Sequence, residues 1–300
     1  MVKSKIVKHI FVSSTVSDLQ EERAFVKQYL ESHKGTVAIK CLLSEAPDFP
    51  VIPTNLFQDT YQICLDNLLR SDYVIQLLNK RYGIPEIEDA GELISITHKE
   101  YREALKRGLP IFTLTNKRLW NAYNAYKKGK HQSYVNETQL LLFSLLDEIQ
   151  GHPRKNWIFR YGNIYDIATI LKTNLLTFDD SIFVADVTIP DGTIVEPTEK
   201  FEKVWEIRNN GMVVWENRFL REKNRSDLIS NSRLVEIPRI LPEEVARINV
   251  VFTVPKYPGS YRSYWKMVTA NGQYCFPWKK GIGCEVTVLT DDGERWPNRG

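Results

Sequence analysis

The stretch Tyr73-Val74-Ile75-Gln76-Leu77-Leu78 is a nearly continuous apolar run, typical of a strand in a sheet that is covered on both faces. On either side of it, short apolar runs alternate with patterns of helical spacing. This alternation predicts a parallel sheet with right-handed crossovers, in an α/β domain over residues 1–178. Strands are predicted at 8–13, 36–43, 73–78, 110–114 and 156–161, and helices at 19–33, 55–70, 116–150 with a break near Gly129, and 164–176.

A helix start follows this strand, in Ser95-Ile96-Thr97-His98-Lys99-Glu100-Tyr101-Arg102-Glu103-Ala104. Glu100 would stand in the first turn, near the carboxyl ends of the strands, where open α/β sheets bind ligands. The same residues fit a capping box, in which Thr97 caps the helix and Glu100 reaches back to its amide. The helix dipole also favours a carboxylate there without any function. Spacing alone leaves both interpretations open.

The loop after the first predicted strand is rich in hydroxyl groups. It reads Ser13-Ser14-Thr15-Val16-Ser17-Asp18 and leads into the helix predicted from Leu19. Hydroxyls beside the free amides of a helix start suit a phosphate or a ribose. Capping of the helix by Ser17 or Asp18 explains the same residues equally well, because Ser, Thr and Asp are preferred N-cap residues.

The composition narrows the class of protein. With 43% hydrophobic residues among 300, the chain can form proper cores, and its length predicts two domains. The formal net charge of +3 is too small to indicate a nucleic-acid or membrane partner. The N-terminus lacks the apolar region of a signal peptide, and no apolar run reaches the roughly 18 residues of a membrane span. We therefore expect a cytoplasmic protein.

The cysteines and histidines do not indicate a metal site. Cys41, Cys64, Cys275 and Cys284 have neither Cys-x-x-Cys spacing nor a secreted disulfide pattern, so reduced thiols are expected. The five histidines do not complete a zinc-binding pattern. We predict no metal.

A basic stretch within the predicted helix 116–150 carries Trp120, Tyr123 and Tyr126 among its lysines. Interleaved cations and aromatic rings are able to hold a nucleic acid. The alternative is an ordinary helix with a charged solvent face and a packed aromatic face. We favour the ordinary helix and expect no nucleic-acid partner.

From about residue 179 the sequence changes to short alternating strands. Turn sequences such as Asn209-Asn210-Gly211, Asn271-Gly272 and Asp291-Asp292-Gly293 separate them, which predicts a β-sandwich over 179–300. The basic run of Arg218, Arg221, Lys223 and Arg225 is expected on a loop. The strands are predicted at 182–188, 202–208, 233–237, 246–254, 260–270 and 285–289.

Several short motifs of the first half occur in a recognisable order: Phe11-Val12-Ser13-Ser14-Thr15, Asp18-Leu19, Glu22-Arg23, Ser71-Asp72, Arg81-Tyr82-Gly83, Ser95-x-Thr97-x-x-Glu100-Tyr101-x-x-Ala104 and Gly108-x-Pro110. Together they resemble a family of domains of unknown function at the N-terminus of bacterial signalling and defence proteins. That family is a relative of TIR domains and nucleoside deoxyribosyltransferases. The resemblance covers about residues 6 to 175 and implies a flavodoxin-like sheet, with a ligand pocket over the first strand-helix loop and the Glu100 helix.

The resemblance also implies a chemistry. In the catalytic relatives, a glutamate at the position of Glu100 engages the ribose as a nucleophile or as the stabiliser of an oxocarbenium-like transition state. Tyr82 would stack on a base or belong to the core, Asp72 would bond a sugar hydroxyl or brace its loop, and Asn79 would narrow the pocket where the family commonly has Gly. The implied substrate-binding residues are Ser13, Ser14, Thr15, Asp18, Asp72, Arg81, Tyr82, Ser95 and Thr97, of which the first three would hold ribose or phosphate.

The second half contains four spaced tryptophans, Trp205, Trp215, Trp265 and Trp278. With the flanking motifs Ile207-Arg208-Asn209-Asn210-Gly211 and Pro258-Gly259-x-Tyr261, they resemble the four-tryptophan, immunoglobulin-like domain of the autophagy receptor Next to BRCA One, which also occurs in bacteria. Such modules bind proteins and carry no known chemistry. We expect each tryptophan to be a buried core ring, with Trp278 the most exposed of the four.

The two resemblances together imply a prokaryotic defence or signalling effector that cleaves the N-glycosidic bond of NAD or a related nucleotide. The nucleotide would be a substrate and not a cofactor, and the second domain would bind a protein partner or assemble copies. The alternative is a non-catalytic protein whose first domain senses a nucleotide or serves as a scaffold. Replacing Glu100 by Gln discriminates between them.

Overall fold

The structure is a computed structural model, and it describes residues 6–46, 48, 60–87, 91–130, 135–152, 157–223 and 228–290. The chain divides into two compact units, Met1–Leu176 and Thr177–Gly300. None of the helices in these described ranges is long and apolar enough to cross a membrane.

The first unit contains a five-stranded sheet of parallel strands and a separate hairpin. The strands are β1 Val7–Ser13, β2 Ala38–Leu42, β3 Tyr73–Leu78, β4 Pro85–Ile87, β5 Leu93–Ser95, β6 Ile111–Asn116 and β7 Trp157–Tyr161. The helices are α1 Gln20–Glu31, α2 Thr60–Leu69, α3 Ile96–Lys106, α4 Lys117–Lys127, α5 Glu137–Gly151 and α6 Ile164–Ile170, which continues as a π-helical turn over Leu171–Leu175.

The sheet has the strand order β2-β1-β3-β6-β7, with β3 at its centre. All six residues of β3 are buried, as expected for a strand covered on both faces. On one face Phe11 and Val74 pack in one core with Leu68 of α2, Tyr101 of α3 and Leu145 of α5. The predicted α/β fold with a parallel sheet is therefore confirmed.

Two details of the first unit bear on the sequence-based expectations. The segment from Lys80 to Leu93, for which the sequence indicates a loop, contains the hairpin of β4 and β5, in which Glu86 pairs with Ile94. The break expected near Gly129 is present, since α4 ends at Lys127 and α5 starts at Glu137. The beginning of the helix predicted over 55–70 lies outside the described residues, which resume at Thr60.

The second unit is β-rich and contains two sheets with the orders β12-β14-β10-β8 and β13-β11-β15-β16-β9. All neighbouring strands are antiparallel except β16 and β9. The strands are β8 Ser181–Asp186, β9 Thr193–Ile194, β10 Lys200–Asn209, β11 Arg218–Glu222, β12 Ile229–Ser230, β13 Leu234–Ile237, β14 Val245–Thr253, β15 Gly259–Thr269 and β16 Ile282–Val288.

The two sheets share one hydrophobic core. Trp205 on β10 and Ile248 on β14 come from the first sheet, and Leu220 on β11 and Trp265 on β15 come from the second. Along β10 buried residues alternate with more exposed ones, as in a strand with one covered face. This packing is consistent with the expected immunoglobulin-like domain.

The basic run of the second unit was expected on a loop, and this expectation is wrong for its first half. Arg218 and Arg221 lie on β11, which pairs with both β13 and β15. The sequence does not indicate this strand, because its only apolar residues are Phe219 and Leu220 and they do not alternate with polar ones. Arg225 and the predicted turn Asp291-Asp292-Gly293 lie outside the described residues.

Candidate functional site

The structure brings Glu100 and Ser13 together at the carboxyl end of β1. Ser13 Oγ donates a hydrogen bond of 2.6 Å to Glu100 Oε2. Both residues are buried, with exposed fractions of 1% for Ser13 and 5% for Glu100. Burial raises the pKa of Glu100 to about 7, although the Ser13 hydrogen bond and the charge of Arg23 act in the opposite direction. This carboxyl group therefore changes its charge near neutral pH.

Glu100 is not a capping residue. The N-cap of α3 is Ser95, whose side-chain oxygen accepts a hydrogen bond from the His98 amide at 3.4 Å. Because β5 ends at Ser95, the N-cap lies two residues before the cap expected at Thr97, and the helix begins at Ile96. Thr97 is a buried helical residue, and Glu100 lies beyond the first turn. The capping-box interpretation of Thr97 and Glu100 is wrong.

The hydroxyls of Ser13, at the end of β1, and of Ser14 and Thr15, which follow it, are each bonded to a different charged side chain. Besides the bond from Ser13 to Glu100, Ser14 Oγ accepts from Arg23 Nη1 at 2.8 Å. Thr15 Oγ1 donates to Asp18 Oδ1 at 2.5 Å. The loop is thus held in place by side-chain hydrogen bonds at the edge of the sheet.

The residues of this loop do not cap α1. Its N-cap is Leu19, which makes no side-chain capping bond, and Asp18 is engaged by Thr15 instead. Ser17 Oγ accepts from Arg81 Nη1 at 3.2 Å, which ties the loop after β1 to the loop after β3. The capping explanation for Ser17 and Asp18 is therefore wrong.

Arg23 is a component of the site that the sequence reasoning missed. Its side chain is buried, and Nη1 also donates to the Val12 carbonyl at 2.9 Å. Nε and Nη2 donate to the two carboxylate oxygens of Glu45, both at 2.5 Å. Burial opposes ionisation of Glu45, but the bonds and charge of Arg23 lower its pKa overall. The sequence feature that indicates a buried role for Arg23 is its position in the apolar stripe of α1, together with Val26 and Leu30.

A cavity of about 730 Å³ opens beside the same edge of the sheet. Cations line it from the loop after β3, and polar groups line it from the start of α5. Its walls include Thr15, Lys80, Arg81, Tyr82, Asn136 and Gln139. The two α5 residues could not be found from sequence, because no local pattern relates position 136 to position 81.

Gly83 explains how closely the loop after β3 approaches its neighbours. Its φ is +96°, a value that favours glycine. A Cβ atom there would lie 3.3 Å from Ser95 Cβ and 3.4 Å from Thr15 Cγ2. The structure therefore brings Thr15, Ser95 and the Arg81-Tyr82-Gly83 motif to one place.

Asp72 lies at the opposite edge of the sheet. It precedes β3, where its Oδ2 accepts from the His9 amide at 2.8 Å and its Oδ1 is 3.6 Å from Lys8 Nζ. At about 3.3 Å per residue, the six residues of β3 separate it from the carboxyl edge by roughly 17 Å or more. The sugar contact implied for Asp72 is therefore not supported, and the residue braces β1 against β3.

A row of buried polar side chains crosses the sheet next to Ser13. Ser13 is in register with Gln76 on β3, and Gln76 with Thr113 on β6. Thr113 Oγ1 donates to Gln76 Oε1 at 3.2 Å. Gln76 Nε2 has no hydrogen-bond partner among the described residues. The part of the sheet next to Glu100 therefore carries polar rather than apolar side chains.

The aromatic residues of α4 pack against the protein. Tyr123 Oη donates to Asp147 at 2.6 Å, and the rings of Tyr123 and Tyr126 contact Phe143 of α5. Trp120 packs against the same core. These rings form the packed face of an ordinary helix. Within the described parts of the chain, no group of three His, Cys, Asp or Glu residues is placed to hold a metal ion.

Three of the four tryptophans in the second unit are fully buried, and their ring nitrogens are all hydrogen-bonded. Trp205 Nε1 donates to the Gly283 carbonyl at 2.7 Å, Trp215 Nε1 to Asp179 at 3.0 Å, and Trp265 Nε1 to Ser263 at 2.9 Å. Trp278 is 74% exposed. The expectation of a buried core ring is confirmed for Trp205, Trp215 and Trp265 and is wrong for Trp278, which is, as expected, the most exposed of the four.

Each of the two units matches a known family model. The second unit matches the family model described as "Ig-like domain from next to BRCA1 gene" over residues 188–288. The chain is 35% identical over 98 residues to Protein JOKA2 of Solanum tuberosum and 38% identical over 99 residues to the Protein NBR1 homolog of Arabidopsis thaliana. Each alignment covers 31% of this chain, but only 11% and 14% of those two relatives.

Among solved structures, the solution structure of a CARDB domain from Pyrococcus furiosus is similar, with a TM-score of 0.27 and 18% identity over 37% of this chain and 95% of that domain. The first unit matches the family model described as "Domain of unknown function (DUF4062)" over residues 9–176. Because that match spans more than half of the sequence, the chain belongs to the DUF4062 family, and it carries an NBR1-like immunoglobulin-like domain in its second unit.

Proposed function

We propose that this protein cleaves the N-glycosidic bond of NAD or a related nucleotide, as a prokaryotic defence or signalling effector. The observation that carries the proposal is Glu100, a buried carboxyl bonded to Ser13 at the carboxyl edge of a parallel sheet. Burial gives it a pKa of about 7. Perturbed carboxyl groups of this kind concentrate at functional sites.

The topology supports a flavodoxin-like sheet related to TIR domains and nucleoside deoxyribosyltransferases. Counted along the chain, the strand order of the sheet is 2-1-3-4-5. In that order, ligands bind outside the carboxyl ends of the strands where the winding reverses, between β1 and β3. Ser13 ends β1, and the loop from Lys80 to Gly83 follows β3. Ser13 and the Arg81-Tyr82-Gly83 motif, although not Asp72, lie at the position where this topology favours a ligand, which supports the proposal.

The chemistry of the bond explains why a buried carboxylate is useful. As the bond between the anomeric carbon and the base nitrogen breaks, positive charge develops on the sugar. The ionised Glu100 stabilises that charge, and its shielding from water strengthens the interaction. The hydrogen bond from Ser13 fixes the orientation of the carboxylate. With a pKa near neutrality, the same group can also take a proton from an attacking water.

The cavity has suitable size and chemistry for the rest of a nucleotide. Its volume of about 730 Å³ is within the usual range of roughly 300–1,000 Å³ for ligand sites. Lys80 and Arg81 would face the phosphates, whereas Tyr82, which is 2% exposed and packed in the core, would support the wall between them and α3. Thr15 and the polar groups at the start of α5 would bind hydroxyl or phosphate oxygens.

The second unit would bind a protein partner or a second copy of the chain. Its NBR1-like domain belongs to a class of protein-binding modules, and the exposed Trp278 is the kind of aromatic anchor that interfaces use. Such a unit would couple recognition of a trigger to the activity of the first unit.

The decisive experiment measures free base released by the purified full chain from NAD, NADP, ATP and deoxynucleosides. Wild type should release base, and Glu100→Gln should be slower by at least about 10³-fold, because the charge of the carboxylate is lost. Glu103→Gln is the matched control, since Glu103 lies on the same helix and pairs with Arg107 at the surface. Equal rates for wild type and Glu100→Gln would refute the proposal.

A second function, nucleotide binding without turnover, is favoured by one observation. Neither Glu100 nor Ser13 is among the described residues that line the cavity, so a nucleotide bound there need not reach the carboxylate. Calorimetric binding of a nucleotide by an assembled protein that releases no base would select this function over cleavage.

A further inference from the structure

The second unit contains a small apolar cavity between its two sheets, which we call the inter-sheet cavity. Its volume is about 130 Å³. Phe183 of β8 and Ile207 of β10 line it from the first sheet, and Met267 of β15 and Ile282 of β16 line it from the second. An apolar cavity of about 150 Å³ holds one benzene ring, whereas sites for larger ligands usually exceed about 300 Å³. The inter-sheet cavity therefore has the size of one large apolar side chain and is too small for a nucleotide.

The rim of the inter-sheet cavity is positively charged. Lys266, Lys279 and Lys280 line it. Lys279 pairs with Asp180, whereas Lys266 and Lys280 form no salt bridge with any residue that the structure describes. Lys266 is held at the rim by a bond of 3.0 Å from its Nζ to the Pro277 carbonyl. These two lysines complement a ligand that carries acidic groups next to an apolar one.

The strand β8 forms one side of the inter-sheet cavity and has an open edge. It is the last strand of its sheet and pairs with β10 alone among the described strands. Phe183 is in register with Ile207, and both side chains line the cavity. Side chains that lie opposite each other on neighbouring strands point to the same face of a sheet. A strand added at the open edge of β8 would therefore place the side chain opposite Phe183 in the cavity.

The side chains along this edge are exposed, as those of an uncovered edge strand are. Phe183 and Val184 are 48% and 45% exposed. Trp278 also lies beside the cavity, because its ring contacts Phe276, a lining residue, with 6.3 Å between the ring centroids. An exposed aromatic ring beside an apolar cavity and basic side chains is typical of a protein-binding surface.

We propose, on the basis of the protein-binding role proposed for the second unit, that the inter-sheet cavity docks an extended acidic peptide with one large aromatic side chain. The peptide adds to the open edge of β8 through main-chain hydrogen bonds. Its aromatic side chain fills the cavity beside Phe183, and acidic residues on either side of it pair with Lys266 and Lys280. The main-chain bonds supply affinity, and the cavity and its lysines select the sequence.

The test measures calorimetric binding of a synthetic peptide by the full chain, without nucleotide. The probe is capped at both ends and carries one Phe, with two Glu on each side of it, in a Thr-rich extended sequence. Replacing its Phe by Ala should weaken binding by about 10- to 100-fold, because one ring is no longer buried. Replacing its Glu residues by Lys should weaken binding by about tenfold or more. Of two probes methylated on alternate amides, only one should bind, since alternate amides of an added strand face β8.

Variants of the chain test the lysines. Lys266→Glu combined with Lys280→Glu should weaken binding of the Phe probe by about tenfold at low salt. Lys200→Glu combined with Lys256→Glu is the matched control, because it makes the same change in charge. Lys200 lies on β10 seven residues before Ile207, roughly 23 Å along the strand, and Lys256 follows β14 at the same end of the sheet. This control should bind as wild type does.

A further variant tests the cavity itself. Ser181 lines the cavity, and Ser181→Phe would fill it from its own wall. The difference in affinity between the Phe and Ala probes should then disappear. If Ser181→Phe unfolds, as judged by circular dichroism, the lysine variants and the probe series decide.

Several results would overturn the inference. They are equal binding of the Phe and Ala probes, equal binding of the Glu and Lys probes, and no binding of any probe by wild type. A dimer in sedimentation that Val184→Lys converts into monomers would show that a second copy of the chain covers the edge, and this too would overturn it. The assay involves no base release, so its failure leaves the cleavage proposal standing, and a failure of base release leaves peptide binding intact.

Discussion

Two buried glutamates, one in each unit, accept a hydrogen bond from a buried serine and differ in their further partners. Glu100 of the first unit accepts from Ser13 at 2.6 Å, and Glu222 of the second accepts from Ser263 at 3.2 Å. Glu222 also accepts from Arg233 Nε at 2.9 Å. Glu100 forms no salt bridge with any residue in the described part of the chain. One glutamate therefore forms a direct salt bridge with a cation, whereas the other is influenced only by the charge of the nearby Arg23.

The difference separates a carboxylate that is paired with a cation from one whose pKa is raised by burial. In the second unit, Ser263 accepts from Trp265 Nε1 at 2.9 Å, so Glu222 ends a hydrogen-bonded chain that holds a core ring in place. In the first unit, burial raises the pKa of Glu100 to about 7. A buried and uncompensated acid destabilises the fold once it ionises, and such groups persist where function requires them.

The largest loss of stability should come from removing the ring of Trp265, which Glu222 supports through Ser263. Trp265 is fully buried and contacts Trp205 and Phe252. Trp265→Ala should lower the free energy of unfolding of the second unit by about 4 kcal/mol, through lost burial and the cavity left behind. Urea unfolding of the full chain, followed by circular dichroism, measures the change.

Trp278→Ala is the control for this prediction. Trp278 is 74% exposed, so its replacement should change the free energy of unfolding by less than about 0.5 kcal/mol. A similar cost for the two variants would show that the exposed ring is also a packing residue, and would remove the reason to regard it as an anchor for a partner.

The next effect is a dependence of stability on pH that originates at Glu100. Its pKa is about 7 in the folded chain and 4.5 ordinarily, so between these values the unfolded chain has lost the proton that the folded chain retains. The free energy of unfolding should therefore fall as pH rises from about 4.5 to 7, by about 3 kcal/mol, and stay lower above pH 7. Urea unfolding at pH 5 and pH 8 measures the fall.

Glu100→Gln isolates this contribution from that of other titrating groups. The variant should be more stable than wild type at pH 8, and the two should converge towards pH 5, where Glu100 is protonated. If the stabilities of wild type and variant run parallel from pH 5 to pH 8, Glu100 is not an uncompensated acid, and the contrast with Glu222 disappears.

The sequence predicts the fold well because its local patterns are strong. The apolar run 73–78 is the central strand, and the predicted strands 36–43 and 246–254 are observed at Ala38–Leu42 and Val245–Thr253. Local patterns fail where charged residues occupy a strand, as in β11, or where two residues are equally good caps. Thr97 and Ser95 both fit a cap, and only the preceding strand β5 decides for Ser95.

The site is harder to predict, because its parts are far apart in the chain. Glu100 and Ser13 are each suggested by local sequence, but their hydrogen bond joins residues 87 positions apart. The partners of Arg23 and the α5 wall of the cavity depend on the same long-range packing. Asp72 is different, since a residue that precedes a parallel strand lies at the edge opposite the ligand site, and strand direction alone argues against it.

The smallest predicted effect is a change in the free energy of unfolding on replacing Glu222, opposite in sign to the change expected on replacing Glu100. Glu222→Gln keeps an oxygen for the Ser263 hydroxyl but loses the charge that faces Arg233, whose side chain is 63% exposed and therefore partly screened. It should lower the free energy of unfolding by about 1 kcal/mol at pH 8, where Glu100→Gln raises it. Glu236→Gln, on the exposed face of β13, is the matched control and should be neutral. If Glu222→Gln also stabilises the chain, both glutamates are uncompensated acids, and burial with a serine partner does not distinguish a reactive carboxylate from a structural one.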